Sequence, residues 1–253
     1  MIEEIQPRPA LDDRPAPRRI GLIALATDHT VEADFWRLVA SDAVAVHVAR
    51  VHYANPTTPE NLRAMHPHLA AAAGLILPGE ALDAIVYGCT SASVVIGEDA
   101  VAAALEAGRP GTPVITPAGA AVRALRTLRA RRIAILTPYV RRTAKPMQAF
   151  FTAKGFDVGR LVCLGMEDDR EMARLPLEEI VRLAVETITP GAEALFLACT
   201  ALRAAQCAPE IERRTGLPVV TSNLAAAWAS LRQCGIAPDP DAACRLLTLA
   251  DTR

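Results

Sequence analysis

Two copies of one short pattern set the tightest limit on how this chain folds. Residues 84–90 read AIVYGCT and residues 194–200 read ALFLACT, each an unbroken apolar run closed by Cys-Thr. Cys89 and Cys199 lie 110 positions apart. Arg18-Arg19-Ile20 opens one hydrophobic stretch and Arg131-Arg132-Ile133 another, 113 positions later. Gly111-Thr-Pro-Val-Ile-Thr116 returns as Gly216-Leu-Pro-Val-Val-Thr221 after 105. Three landmarks recurring in one order at similar spacing predict a duplicated α/β unit with one thiol in each copy.

The segments between these landmarks give the fold class. Residues 20–26 form a continuous apolar run, as a parallel strand covered on both faces requires. Helical patterning over 32–41 leads to a strand at 43–52, a helix at 61–75 and the 84–87 strand. A helix at 94–106 follows the first Cys-Thr, before a strand at 114–116. The second half repeats the order: strands at 133–136, 158–164, 195–198 and 219–221, with helices at 142–154 and 177–187. Alternation of this kind, with short Gly/Pro connections, predicts parallel sheets with right-handed crossovers. The expected architecture is α/β, with two pseudo-symmetric duplicated lobes, each a parallel sheet flanked by helices. The active site is expected in the cleft between them, since ligands of open α/β sheets bind at strand C-termini. The predicted divisions are a 1–17 flexible tail, an N-terminal lobe over 18–120 completed by 222–253, and a C-terminal lobe over 121–221.

Composition narrows the partners. The 253 residues carry a net charge of −1, which argues against nucleic acid as a ligand. The one dense basic stretch, 123–132 (RALRTLRARR), reads as a solvated helix face and helix end. No run approaches the ~18 apolar residues of a membrane span. The acidic, proline-rich start lacks the pattern of a secretory signal. Six cysteines are too sparse for a disulfide scaffold, so reduced thiols in a cytoplasmic protein are expected. His66-Pro-His68 has no third metal ligand at a recognisable spacing, and no phosphate-cradling glycine motif is present; neither a metal nor a cofactor is predicted.

A cysteine between a strand end and a helix start is placed for reactivity, because the helix N-terminus favours thiolate. Thr90, Ser91 and Thr200 are candidate caps and substrate contacts beside it. The same backbone N–H groups are placed to hold a substrate carboxylate. One such cysteine would read as a small buried hydrophobe. Two at equivalent strand ends make Cys89 and Cys199 the catalytic candidates, whereas Cys163, Cys207, Cys234 and Cys244 read as packing residues. His29 is a loop histidine near the first thiol, with proton transfer as its functional alternative.

Cys89-Thr-Ser-Ala-Ser and Cys199-Thr-Ala-Leu-Arg resemble the two cysteine motifs of the aspartate/glutamate racemase superfamily, in particular its maleate cis-trans isomerase and arylmalonate decarboxylase branch. Leu136-Thr-Pro-Tyr139 and the segment ending at Asn223 extend the likeness, which spans residues 18–247. The resemblance implies cofactor-independent chemistry on a small carboxylate, with Tyr139 contacting the substrate carboxylate, in a homo-oligomer. Three reactions are open: racemisation or epimerisation by two thiols acting as acid and base, cis-trans isomerisation through a nucleophilic Cys89, and decarboxylation with Cys199 as proton donor. A non-catalytic metabolite-binding accessory protein is the alternative from another class.

The departures from the family pattern shape the substrate. Two asparagines of the maleate isomerase branch align with Asp28 and Asp169. One like-charge contact at ~4 Å costs roughly 4 kcal/mol at an effective dielectric of about 20, so two carboxylates disfavour a dianion. A zwitterionic carboxylate is expected instead, and Thr27-Asp28 with Tyr87-Gly-Cys-Thr-Ser91 resembles a subgroup tied to ectoine and hydroxyectoine catabolism. The leading expectation is therefore a two-cysteine racemase or epimerase. Helix capping by Asp28 and an exposed loop position for Asp169 are the competing structural readings.

Overall fold

The structure, a computed structural model, describes residue 2 and residues 7–250; of the expected 1–17 tail, positions 1 and 3–6 lie outside the described residues, as do 251–253. The first half runs β1 (Arg18–Leu25), α1 (Val31–Leu38), β2 (Val44–Val51), α2 (Pro59–Ala64), α3 (Leu69–Gly74), β3 (Ala84–Tyr87), α4 (Thr90–Ile96), α5 (Glu98–Gly108), β4 (Val114–Ile115) and α6 (Pro117–Thr127). The second runs β5 (Arg132–Tyr139), α7 (Arg141–Ala153), β6 (Asp157–Met166), α8 (Asp169–Met172), α9 (Leu177–Thr187), β7 (Ala194–Leu197), α10 (Ala204–Thr215), β8 (Val219–Thr221) and α11 (Ser222–Gln233).

Each half builds one four-stranded sheet with every pairing parallel, ordered β2-β1-β3-β4 and β6-β5-β7-β8. The orders are the same once β1 is matched to β5, and the registers match too: Ile20 faces Ala84 as Ile133 faces Ala194. β1 and β5 are buried along all but their first residue, because flanking helices cover both faces of each central strand.

Two helices expected as single units are broken, each for a local reason. Over 61–75 the chain forms α2, a 3-10 turn at His66–His68 and α3. Pro67 lacks the N–H that a continuous helix needs and clashes with the preceding turn. The helix expected at 94–106 is α4 followed by α5, divided at Gly97, whose φ of 99° leaves the helical region.

One apolar core joins the lobes. Ile20, Leu22 and Ala24 on one face of β1 share a buried cluster with Ile133, Ile135, Leu195 and Leu197 of the other sheet. Ile23, Leu25, Ile85 and Tyr87 belong to a second cluster with Leu62, Met65 and Leu69. The alternation in β1 follows the strand period of two. α11 packs against α6, α1, β3 and β8, spanning both sheets. Ser222–Ser230 are all buried, as expected of a helix surrounded by protein.

Gly108 closes the α5–α3 contact. A Cβ there would sit 2.1 Å from the Ala70 carbonyl oxygen, a backbone atom that cannot swing aside. Gly108→Ala is expected to destabilise the fold by about 2–3 kcal/mol through overpacking. Denaturant unfolding checks this: a midpoint equal to wild type would mean that α3 and α5 separate freely.

Candidate active site

Both Cys-Thr pairs lie just beyond the C-terminal ends of their strands. β3 stops at Tyr87 and β7 at Leu197, so Gly88-Cys89 and Ala198-Cys199 occupy equivalent turns. The thiols are brought together: Cys89 and Cys199 line one narrow cavity with Asp28, Ser91, Tyr139, Asp169, Thr200 and neighbouring groups. The contributing residues come from the ends of β1, β3, β5 and β7, from the segments after β2 and β6 and from α2, which places the site where two sheets' strand termini converge.

Thr90 is the one candidate outside that lining, and its role differs from the expected one. Cys89, not Thr90, is the N-cap of α4, and no side chain caps it. Thr90 is fully buried and its Oγ1 donates to Ser222 Oγ at 2.7 Å. The Cys199 backbone N–H donates to the same Ser222 oxygen at 3.0 Å. In the reverse direction, Thr200 Oγ1 donates to the Gly88 carbonyl at 2.9 Å. Each Cys-Thr loop is thus tied to the other, directly in one case and through Ser222 in the other. Thr200 likewise caps no helix directly, since α10 begins only at Ala204.

Burial dominates the thiols. Both Cys89 and Cys199 are pushed up to about 12, with desolvation the largest cause in each. Opposing it, the nearby Ala92 N–H and Ser91 hydroxyl lower Cys89, and Ser91 Oγ lies 3.7 Å from the sulfur. Cys199 is lowered by the Tyr139 hydroxyl and the Ala201 N–H, the latter donating to Sγ at 3.3 Å. Nearby carboxylate charge raises both thiols. Tyr139 is held well above the usual phenol value by burial, so it stays a neutral donor. Cys199 has a φ of 136°, a region that side chains avoid and that costs of order 1–3 kcal/mol. Cys89 has an ordinary extended φ of −147°. The pair is equivalent in the fold but not in backbone strain.

The two aspartates divide their tasks. Asp28 is 4% exposed, and its Oδ1 accepts from the backbone N–H groups of Thr30 at 2.6 Å and Val31 at 2.7 Å. The helix-capping reading therefore holds for that oxygen. Burial raises the Asp28 carboxyl from 3.8 to about 6; the two backbone donors oppose the shift, while Asp169 adds to it. Arg50 sits behind the turn, its Nη1 donating to the Leu25 and Asp28 carbonyls. Asp169 is buried rather than an exposed loop acid, and both of its oxygens are engaged. Thr27 Oγ1 donates to Oδ2 at 2.5 Å and Asn55 Nδ2 to Oδ1 at 2.7 Å.

Sequence reasoning missed several contributors. Tyr53, Thr57 and Met172 line the cavity, and Met172 Sδ lies 3.9 Å from the Cys199 sulfur. Asn55 anchors Asp169, and Ser222 joins the thiol loops. Tyr53 and Asn55 fall in a loop without periodicity, and Ser222 reads as an ordinary helix start. His29 faces a separate outer groove with Asp168, Arg170, Glu171 and Arg174. Cys163, Cys207, Cys234 and Cys244 lie outside the cavity lining. His66 and His68 sit on the 3-10 turn, also away from it.

Comparison with known proteins gives the site its relatives. Residues 67–247 match the family model described as arylmalonate decarboxylase. A maleate isomerase of Nocardia farcinica is 30% identical over 241 residues, covering 91% of this chain and 95% of its own. The solved Nocardia maleate cis-trans isomerase, a cysteine-to-serine mutant with a covalently bound succinylcysteine intermediate, superposes with a TM-score of 0.83 at 29% identity, over 91% of this chain and 98% of that one. Unliganded arylmalonate decarboxylase gives a TM-score of 0.75 at 27% identity, over 92% and 100%. With these matches running through both sheets and both thiol turns, the chain belongs to the arylmalonate decarboxylase family, whose maleate isomerase and decarboxylase members are isomerases and lyases.

Proposed function

We propose that this protein is a cofactor-independent cis-trans isomerase acting on a small unsaturated carboxylate, with Cys89 as nucleophile and Cys199 as proton donor and acceptor. The observation that carries the reading is the sharing of one cavity by two thiols from equivalent strand ends. The relatives shift the balance away from the racemase expected above, because a covalent succinylcysteine has been captured in the Nocardia enzyme. In this reading the Cys89 sulfur bonds to one alkene carbon while the π electrons move toward the conjugated carbonyl. Cys89 reacts as the thiolate, its proton given up to solvent beforehand; Cys199 supplies a proton to the other carbon and is left as the thiolate that takes a proton back on reversal. The former double bond, now single, rotates; reversal of the same steps expels the thiol and leaves the trans alkene. No atom is gained or lost, and no cofactor is called for.

Ser91, Tyr139 and Thr200 would hold the substrate carboxylate, with Thr90 bracing the loop behind them. Homo-oligomeric assembly and a cytoplasmic location belong to the proposal as well. Among the described residues no helix is long and apolar enough to cross a membrane.

The matched burial of the two thiols favours a second reading, in which they act as acid and base at a carbon beside a carboxylate, racemising or epimerising a zwitterion such as an ectoine-related compound. Intact-mass measurement separates the two. Incubation of Cys199→Ser with cis-enoates is expected to add the substrate's mass to the protein, at the peptide carrying Cys89. Deuterium incorporation from heavy water at a saturated carbon acid, without any adduct, would instead establish proton transfer and overturn the nucleophilic mechanism.

A further inference from the structure

We infer that Asp28 makes this site select a monocarboxylate whose far end carries an N–H donor, such as the half-amide of a cis-alkene diacid, over the corresponding dianion. The inference rests on the proposed reaction but is carried by a separate observation. Asp28 lines the thiol cavity and is 96% buried by its 4% exposure. Its Oδ1 is spent on the Thr30 and Val31 amides, yet its Oδ2 has no hydrogen-bond partner. A buried carboxylate oxygen without a donor is costly, and native interiors leave few such groups. Asp169 does not share this property, since Thr27 and Asn55 occupy its two oxygens.

The cavity as a whole is short of cations. No Lys, Arg or His is among its described lining residues. The nearest guanidinium, Arg50, is turned to the Leu25 and Asp28 carbonyls and to Glu32. A substrate with two carboxylates would bring the second one against Asp28 and Asp169 with nothing to offset it. An amide or ammonium at that end instead supplies the donor that Oδ2 lacks. The remaining carboxylate keeps the hydroxyl donors of Ser91, Tyr139 and Thr200. The titratable groups lining this space with Asp28 are Asp169, the Cys89 and Cys199 thiols and the Tyr53 and Tyr139 phenols, with Arg50 behind the Asp28 backbone. The preference should therefore strengthen as Asp28 ionises, on going from pH 5 to pH 8.

Two pairs of probes test this. Maleamate against maleate reads turnover; succinamate against succinate reads binding without any chemistry. At pH 8 we expect kcat/KM for maleamate to exceed that for maleate at least tenfold, and succinamate to bind at least tenfold tighter than succinate by calorimetry. Asp28→Asn should bring both ratios to near or below one. Because each ratio compares two ligands in one protein, altered thiol reactivity in the variant cancels, and a melting curve verifies that the variant is folded. Preferential binding of succinamate with no turnover of either alkene would sink the isomerase reading and leave the specificity intact. Equal binding of succinamate and succinate, or ratios unmoved by Asp28→Asn, would overturn the inference. So would a preference for succinate at pH 8, since Asp28 would then be a protonated donor to a second carboxylate.

Discussion

Cys89→Ala is expected to lower kcat about 10⁴-fold or more, because it deletes the atom that would form the covalent bond in the proposed reaction. Cys199→Ala should cost about 10²–10⁴-fold, the usual range for a positioned proton donor. The double variant should be little worse than Cys89→Ala, since two groups serving one sequence of steps do not contribute additively. Cys163→Ala and Cys207→Ala are the controls, both outside the cavity. Wild-type turnover in Cys89→Ala would remove the thiol from the mechanism. The pH dependence follows from burial. A thiol pushed up to about 12 is neutral at pH 7, and its thiolate fraction rises tenfold per pH unit below that value. Initial rates should accordingly give a log kcat/KM that climbs with a slope near one from pH 7 to pH 9. A flat profile across that range would mean that one cysteine rests as thiolate despite its burial.

The second large effect concerns stability and has the opposite sign to most active-site substitutions. Asp28 rises from 3.8 to about 6 on folding, with desolvation the chief cause. The folded state therefore holds a proton that the unfolded chain releases near pH 4. Stability from this group is present at low pH and is lost as pH climbs through the window from about 4 to 6. At ~1.4 kcal/mol per unit the penalty above pH 7 is on the order of 3 kcal/mol. Asn in place of Asp keeps an oxygen for the Thr30 and Val31 amides and removes the buried charge. Asp28→Asn should thus be more stable than wild type by about 1–3 kcal/mol at pH 8, with the difference closing toward pH 4. Urea unfolding at the two pH values decides it; a variant no more stable at pH 8 would show that the carboxylate is solvated or paired in solution. The stability forgone at Asp28 is what a site retains when a buried charge is needed for recognition.

Much of the fold was legible because the code that writes it is local. Unbroken apolar runs at 20–26 and 133–136 announce central parallel strands, and the repeated Cys-Thr ends mark the strand termini that meet at the cavity. The apolar patterns over 61–75 and 94–106 each suit a single helix, but Pro67 and Gly97 divide them. In the site, Cys89, Cys199 and Tyr139 stand out at strand ends and Asp28 and Asp169 through the family resemblance, whereas Met172 and Ser222 sit in helices with nothing to distinguish them. Tyr53, Asn55 and Thr57 follow β2 without a pattern that sets them apart from any surface loop.

The sequence by itself determined the duplicated α/β architecture, the pairing of two thiols and the family. These depend on patterns within a few residues and on the repetition of those patterns along the chain. Only the tertiary structure decided what the thiols and carboxylates experience. Whether Asp28 is spent on capping a turn depends on which oxygen meets which amide: one accepts from two amides and the other has no hydrogen-bond partner. Whether Asp169 is exposed depends on Thr27 and Asn55, 142 and 114 positions away. The crossed bonds of Thr90 and Thr200 exist because two loops 110 positions apart are packed back to back. Desolvation, charge and hydrogen-bond partnership are properties of surroundings assembled from distant segments, and no local pattern encodes them.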